Sequence, residues 1–486
     1  MSKQSTPRKG RQSCSQHTPK RSPKRALTVV NPNAAGIDVG ATNHYVAVPP
    51  DAVADESAVR KFGAFTEDLE QMVEWLKACG VTTVALESTG VDWKPVFQKL
   101  EVAGLKPVLV NPKMVKHVPG RKTDVQDCQW LQQLHTYGLL QGSFVPDDLV
   151  CQLRVLMRHR ANLVSQAAAE IQHIQKASAQ MNLHLHHAVS DVTGETGLRI
   201  LRAILEGQRD PEVLVQLRDP QITKSSKEEM KKALRGEWRD ELLFVLRQSL
   251  EAWEFYHKQM DQCDEQVQQV IKNFPTAEMP EPQLPSTTSS MTAAPTSADS
   301  MAKKKTQQSR KRNDPIMNLV PELTRICGID LCETSGFRVL TALTVVSEIG
   351  LDMSRWRSEK AFSSWLGVCP NHKISGGRIL SRSTRKVINR AATALRLAAQ
   401  GISQTDNWLG LFFRRMKSRL GPAGAITATA HKLACIIYHL LKNKEPYVEI
   451  DPVLYAARVD RARLGRLKKQ AAAMGYELVQ TRTFTE

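Results

Sequence analysis

The stretch GIDVGATNHYVAV, residues 36–48, places an acidic residue at the end of an apolar run. Its β-branched and small residues predict two strands joined by a short turn. Asp38, followed by Gly40 and Thr42, fits two chemistries. It could open a phosphate-binding turn of a kinase-like nucleotide enzyme, or it could be the first carboxylate of a nuclease-like metal site. The rest of the chain has to decide between them.

Three further acids favour the metal site. Glu87 ends the run TTVALE, and Asp124 and Asp127 lie three apart on an expected helix, which puts both on one helix face. Four carboxylates at one sheet edge repel one another unless cations neutralise them. Two Mg²⁺ ions about 4 Å apart would do so and would stabilise a phosphodiester transfer. The kinase-like alternative needs a second Asp-Gly-Gly turn, and none stands at an expected strand end.

Hydrophobic patterns divide the chain into segments. Strands and helices alternate over residues 35–149, which predicts an α/β domain. Helical seams in residues 150–274 predict two long antiparallel helices, either a coiled-coil arm for self-association or packing within one subunit. We therefore expect a disordered basic tail (1–34), the α/β domain (35–149), the helical arm with a small insertion (150–274), a flexible Pro/Ser/Thr linker (275–314), a mostly helical domain (315–445) and a basic helical tail (446–486).

The net charge of +18 is concentrated at the two ends of the chain. Residues 1–28 carry +8 and residues 378–486 carry +13, which leaves −3 on the residues between them. A near-neutral body with two basic ends indicates a polyanionic partner, most simply nucleic acid.

Several classes of protein are disfavoured. Nine scattered cysteines without a CxxC pair indicate reduced thiols and a cytoplasmic protein rather than a zinc-binding or disulfide-bonded one. No apolar run approaches the roughly 20 residues of a membrane span, and the basic N-terminus lacks the apolar region of a signal peptide. His184, His186 and His187 form a cluster without neighbouring cysteines or paired acids, which disfavours a metal role for them.

A second informative stretch is NHKISGGRILSRSTRKVINR, residues 371–390. Ser375 precedes Gly376 and Gly377, where the backbone is flexible and can approach a ligand closely. A serine hydroxyl is a poor nucleophile until a base or metal removes its proton, and no local partner stands at an obvious spacing. Ser375 by itself therefore fits a loop serine better than a catalytic one. Basic residues follow at steps near one helical turn, suited to a phosphate track: Arg378, Arg382, Arg385, Lys386 and Arg390.

The stretch RICGIDLCETSGFRVLTALTVVSEIG, residues 325–350, lies upstream of that serine. A turn at Gly328 leads into a helix that Gly350 is expected to close. This arrangement resembles a helix-hairpin-helix element, whose turn amides and helix N-terminus can hold a DNA phosphate.

Taken together, the motifs resemble a known family. Asp38, then ALESTG, VNP and KTDVQD, then CGID, SEIG and LGVCPNHKISGG follow the order found in bacterial insertion-sequence transposases. These enzymes have an N-terminal DEDD domain of the RuvC/RNase H-like type and a C-terminal serine-bearing transposase domain. The resemblance covers roughly residues 35–445, interrupted by the linker.

The resemblance implies that Asp38, Glu87, Asp124 and Asp127 hold Mg²⁺, with two ions expected, and that Ser375 attacks DNA to form a covalent phosphoserine link. Family members work as homodimers or homotetramers in which the serine of one chain meets the acids of another, and a structured RNA from their own element guides them. The expected partners are therefore donor and target DNA and a guide RNA, in a cytoplasmic, nucleoid-associated protein. The sequence departs from the family in having Cys128 after the last acid and no glycine before Asn389.

Other functions remain open at this point. A Mg²⁺-dependent RuvC-like junction nuclease would keep the four acids, use water as nucleophile and make Ser375 dispensable. A non-enzymatic nucleic-acid-binding protein with a degenerate site is disfavoured because all four acids are present, and a kinase-like ATPase is the most distant alternative.

Overall fold

A computed structural model describes residues 27–53, 57–88, 90–115, 123–222, 224–278, 312–381 and 383–479. Most of the expected basic tail, most of the expected linker and Arg382 lie outside these residues. The chain divides into two compact units, Met1–Val145 and Pro146–Glu486. The first is mixed α/β and the second is mostly helical, as the sequence predicts.

The first unit is built on a five-stranded mixed sheet with the strand order β3-β2-β1-β4-β5. β1, β2 and β3 pair antiparallel, whereas β4 lies parallel to both β1 and β5. β3 was not predicted from the sequence, because two of the five residues of VRKFG are charged. The elements are β1 (Ala34–Val39), β2 (Asn43–Ala47), β3 (Val59–Gly63), α1 (Thr66–Ala78), β4 (Thr83–Glu87), α2 (Trp93–Val102), β5 (Lys106–Val110), α3 (Pro112–Val115) and α4 (Asp124–Thr136).

The two faces of this sheet have different covers. Ile37, Val84 and Leu86 are fully buried in a core that they share with the apolar sides of α1 and α2. Because successive side chains of a strand point to opposite faces, Gly36 lies on the other face, where α4 packs. A Cβ atom on Gly36 would lie 2.3 Å from the amide nitrogen of Gln132 and 2.4 Å from the carbonyl oxygen of Cys128. The missing side chain is therefore what lets the backbone of α4 approach β1.

Helix α4 is also anchored at its C-terminal end. His135 Nε2 lies 2.9 Å from the Thr83 hydroxyl at the start of β4. Burial lowers the pKa of His135, so this contact is made by a neutral imidazole at pH 7. The contact with Gly36 near the middle of α4 and the contact of His135 near its C-terminal end therefore fix the position of α4 on the sheet.

The second unit begins with a pair of helices of 33 residues each, α5 (Asp148–Gln180) and α10 (Asp240–Lys272). They are antiparallel, since the amide of Glu237, just before α10, donates to Met181 at the end of α5, while Arg160 pairs with Asp264 far along both helices. The short helices between them pack on one end of the pair and share its apolar core. These are α6 (Leu185–Ala188), α7 (Glu195–Leu205), α8 (Pro211–Leu214) and α9 (Lys227–Ala233).

The remaining helices form a second apolar region. They are α11 (Val320–Cys327), α12 (Val339–Ile349), α13 (Glu359–Leu366), α14 (Arg390–Gly401), α15 (Trp408–Asn443) and α16 (Pro452–Ala473), with a hairpin of β6 (Lys373–Ser375) and β7 (Arg378–Ser381) before α14. Gly328 follows α11 in the left-handed conformation and Gly350 ends α12, as the sequence predicts. Phe337, Phe362 and Tyr438 are among its largest fully buried side chains.

Among the described residues, α15 alone is long and apolar enough to cross a membrane, judged by length and composition. A core helix of a globular protein passes the same test. α15 buries Leu433, Ile437 and Leu441 against its own unit, and it breaks at Gly421, directly before Pro422. Of its apolar window, 33% is buried inside the protein, so core packing accounts for part of its apolar character.

We expect Gly36→Ala to destabilise the first unit, because its methyl group would meet the backbone of α4. Overpacking of this kind costs about 1–3 kcal/mol. Gly465→Ala is the matched control, since Gly465 lies within α16 with no atom within 4 Å of an added Cβ. There alanine should be neutral or stabilising by up to about 1 kcal/mol. Urea unfolding of both variants measures the difference, and equal midpoints would contradict the close approach.

We expect Asp264→Ala to destabilise the second unit strongly. Arg160 and Asp264 form a bidentate ion pair with side chains that are 5% and 2% exposed. The change therefore leaves a buried guanidinium without its carboxylate partner. Breaking such a pair costs about 3–5 kcal/mol. Glu254→Ala removes the half-exposed ion pair with Arg202 and should cost less than about 1 kcal/mol. Thermal unfolding followed by circular dichroism compares the two variants. Similar decreases in melting temperature for both would contradict the predicted importance of the buried ion pair.

Candidate active site

Asp38 and Glu87 lie side by side at the carboxyl edge of the sheet. β1 and β4 are adjacent and parallel, and Ile37 pairs with Leu86, so the next residue of each strand is the acid. Neighbouring strands are about 4.8 Å apart, and residues in register point to the same face. Glu87 is two residues beyond Ala85, which pairs with Gly36. Both acids therefore lie on the face that α4 covers, and both are half-buried.

The first turn of α4 supplies the other two acids. Asp124 opens the helix after Thr123, whose side chain accepts a hydrogen bond from the amide of Gln126 at 3.3 Å. Asp127 lies one turn later and is half-buried, whereas Asp124 is exposed. Carboxylates are favoured at this end of a helix because the helix dipole is positive there.

The thiol of Cys128 links the strand acids to the helix acids. Cys128 is fully buried, and its Sγ donates to the carbonyl of Val125 at 3.1 Å. Burial, reinforced by the nearby charges of Asp38 and Asp127, raises the pKa of Cys128 to about 12. The thiol therefore lies near both Asp38 and Asp127, which come from different elements. At this position, where the sequence departs from the family, the side chain is a neutral thiol at pH 7.

The four acids are not clustered as tightly as a metal-binding group can be. Among the described residues, the ligand atoms of a separate group of three histidines lie within 4.8 Å of one another. No three of the acids are that close together. Like charges repel at short range, which favours wider spacing of the carboxylates. Their chemistry nevertheless suits a hard divalent cation, since carboxylate oxygens are the ligands that Mg²⁺ and Ca²⁺ take in proteins.

Ser375 ends β6 and faces Arg378 across a two-residue turn. Gly376 and Gly377 have φ angles of +54° and +74°. This pair of left-handed residues makes the tight turn of a β-hairpin and explains the two glycines. Ser375 is exposed, and among the described residues no side chain hydrogen-bonds to it. Its activation has to come from groups outside this hairpin.

The basic residues near Ser375 do not follow one helix, so the expected helical spacing is wrong. Arg378 lies on β7, Arg385 and Lys386 lie in an irregular segment, and only Arg390 is helical, as the first residue of α14. The amide of Asn371 donates to the carbonyl of Ser383 at 2.9 Å, so the two chain segments stay paired beyond the ends of β6 and β7. All four described basic residues are exposed, and Arg382 lies outside the described residues.

Two features of the site were missed from the sequence. Ile374 and Ile379 face each other across the hairpin and are 64% and 45% exposed, so the arm that carries Ser375 also presents apolar surface. Asn389 caps α14, its side chain accepting from the Ala392 amide at 3.1 Å, which explains this residue locally without a glycine before it. The sequence KISGGRIL, with Gly-Gly between two short segments that each contain apolar and basic residues, could have predicted the hairpin.

Two models of known families match the chain. A transposase model of the DEDD IS110 type matches residues 35–182, a range that contains all four acids. A model of the transposase IS116/IS110/IS902 family matches residues 330–414, a range that contains Ser375 and its hairpin. No curated protein matches the chain. The chain is therefore an insertion-sequence transposase with an N-terminal DEDD domain, and hence a DNA transposase or recombinase.

Proposed function

We propose that this transposase cuts and rejoins DNA with Ser375 as the nucleophile and with Asp38, Glu87, Asp124 and Asp127 as ligands of Mg²⁺. The observation that carries the proposal is that the strand-end acids lie on the sheet face covered by the helix that bears the other two acids, together with an exposed serine on a basic hairpin in the other unit. The mixed sheet that carries these acids supports a RuvC/RNase H-like assignment for the first unit.

The proposed reaction consists of two balanced transfers. The Oγ atom of Ser375 loses its proton and bonds to a DNA phosphorus, and the bond from that phosphorus to a DNA oxygen breaks, leaving a DNA hydroxyl. A hydroxyl of another DNA end then attacks the phosphoserine and restores Ser375. Two Mg²⁺ ions at the acids would supply nucleophile activation and stabilisation of the leaving oxygen. The serine and the acids would come from different copies of the chain in a homodimer or homotetramer.

The basic side chains around Ser375 would position the nucleic acid. Arg378, Arg385, Lys386 and Arg390 are exposed and follow the hairpin turn closely in sequence, and we assign the same role to Arg382. Phosphate contacts of this kind position DNA without reading its sequence. Recognition of the target would then fall to a guide RNA from the element, and the turn at Gly328 would add a helix-hairpin-helix phosphate site. Binding of this kind would place the protein on the bacterial nucleoid.

We expect a covalent protein–DNA adduct in cells that carry the protein with its flanking DNA. Lysis in denaturant should recover DNA attached to the wild type and to Ser381→Ala, a control on the same hairpin, and no DNA attached to Ser375→Ala or Asp124→Asn. Both inactive variants should still bind DNA. Adducts that persist in Ser375→Ala would remove this serine from the mechanism. Mg²⁺-dependent cutting of branched DNA without any adduct would instead establish the hydrolytic junction nuclease.

We expect the double change Arg385→Ala and Lys386→Ala to weaken DNA binding to a similar extent for all sequences. Each lost phosphate contact should reduce the slope of log K against log salt by about 0.9. Arg199→Ala is the matched control, because Arg199 pairs with Glu195 on a helix far from this segment in sequence. Binding titrations at several salt concentrations measure the slopes, and an unchanged slope for the double variant would contradict the phosphate role.

A further inference from the structure

Three histidines meet at the end of α5, in the second unit and outside the proposed catalytic groups. His184 is the residue before α6, and His186 and His187 lie within this short helix. One ring nitrogen of each lies within 4.8 Å of those of the other two. The rings of His186 and His187 are closest, with centroids 4.1 Å apart. The sequence places the three residues within four positions, and the structure turns one ring nitrogen of each towards the others.

The hydrogen bonds of His184 leave one nitrogen available as a ligand. Its Nε2 lies 2.9 Å from the side-chain oxygen of Asn182, which can only accept, so Nε2 carries the proton. Nδ1 is then unprotonated, and it is buried without a hydrogen-bond partner. A buried acceptor without a partner costs free energy unless something binds it. Metal-bound histidines typically donate their other ring N–H to a carbonyl or carboxylate oxygen. Here the side-chain oxygen of Asn182 accepts that N–H from His184.

A lysine lies close to the three histidines. The ammonium of Lys224 is held by the carbonyl oxygens of His186 and Val189 at 2.9 Å and 2.7 Å. Its charge opposes any cation, so binding has to come from strong nitrogen ligation rather than from general electrostatic attraction.

We propose that His184, His186 and His187 bind one divalent transition-metal ion, Zn²⁺, through one ring nitrogen each, with the fourth position open to solvent. A set of three imidazoles suits Zn²⁺, Ni²⁺ or Cu²⁺, whereas Mg²⁺ and Ca²⁺ require oxygen ligands. Zn–N bonds of about 2.0–2.1 Å bring ligand nitrogens to about 3.3 Å from one another. Rotation of the exposed His187 ring would close the remaining gap.

The bound ion would brace the connection between α5 and α9. The amide of His184 donates to the carbonyl of Ala233 at the end of α9, 2.9 Å. Asn182, two residues earlier, has a φ of 57°, a conformation that a residue with a side chain rarely adopts. Ligation would fix this strained turn and so stabilise the helical insertion without taking part in the transfer of DNA.

Calorimetric titration of metal-stripped, tag-free full chain with ZnCl₂, in buffer that contains Mg²⁺, tests the proposal. We expect one Zn²⁺ per chain and a rise in the melting temperature. His187→Ala and His186→Asn should weaken binding by about 100-fold or more, and Asn182→Ala by about 10–100-fold. Substituted Co²⁺ should give the strong visible absorption of a tetrahedral site in the wild type and not in His187→Ala or His186→Asn.

Two controls separate this site from other zinc-binding groups. His173→Ala removes an exposed histidine that pairs with Glu170 on α5 and should bind Zn²⁺ as the wild type does. Asp38→Asn should also bind as the wild type does, because the acids of the first unit are not part of the site. Unchanged affinity in folded His187→Ala, loss of binding in Asp38→Asn, or no binding by the wild type would each overturn the proposal.

Discussion

The close approach of α4 to β1 at Gly36 is the constraint on which the arrangement of the acids depends. Two backbones can lie this near only where one residue has no side chain, because a Cβ would overlap the peptide groups of Cys128 and Gln132. The same packing brings the first turn of the helix over the carboxyl edge of the sheet. The position of Asp127 relative to Asp38 is thus a consequence of a glycine two residues before Asp38.

That packing has an electrostatic cost, and the residues around the acids limit it. Cys128 lies beneath them as a neutral thiol, since burial and the two carboxylates disfavour its thiolate. Asp124 is exposed to solvent, and both helix acids lie at the positive end of the α4 dipole. The remaining repulsion makes the carboxylates a favourable place for divalent cations, which is the property that phosphoryl transfer at this site would need.

The two units use different means to present reactive groups. In the first, rigid strand ends and a packed helix hold the acids. In the second, Ser375 stands at the tip of an exposed two-stranded hairpin, held by its glycine turn and little else. The two family models match different parts of the chain, residues 35–182 with the four acids and residues 330–414 with Ser375.

Sequence alone determined the positions of the acids at the ends of apolar runs, the order of strands and helices around them, and the glycine pair after Ser375. These features follow from local rules of side-chain periodicity and backbone conformation. Local rules failed for β3, whose charged residues conceal an edge strand, for Arg378, which pairs within the hairpin, and for Arg385 and Lys386, which lie in an irregular segment before α14. Tertiary structure decided the register that sets Asp38 beside Glu87 and the face on which α4 packs. Each of these depends on contacts between segments distant in sequence or on burial, which no local pattern encodes.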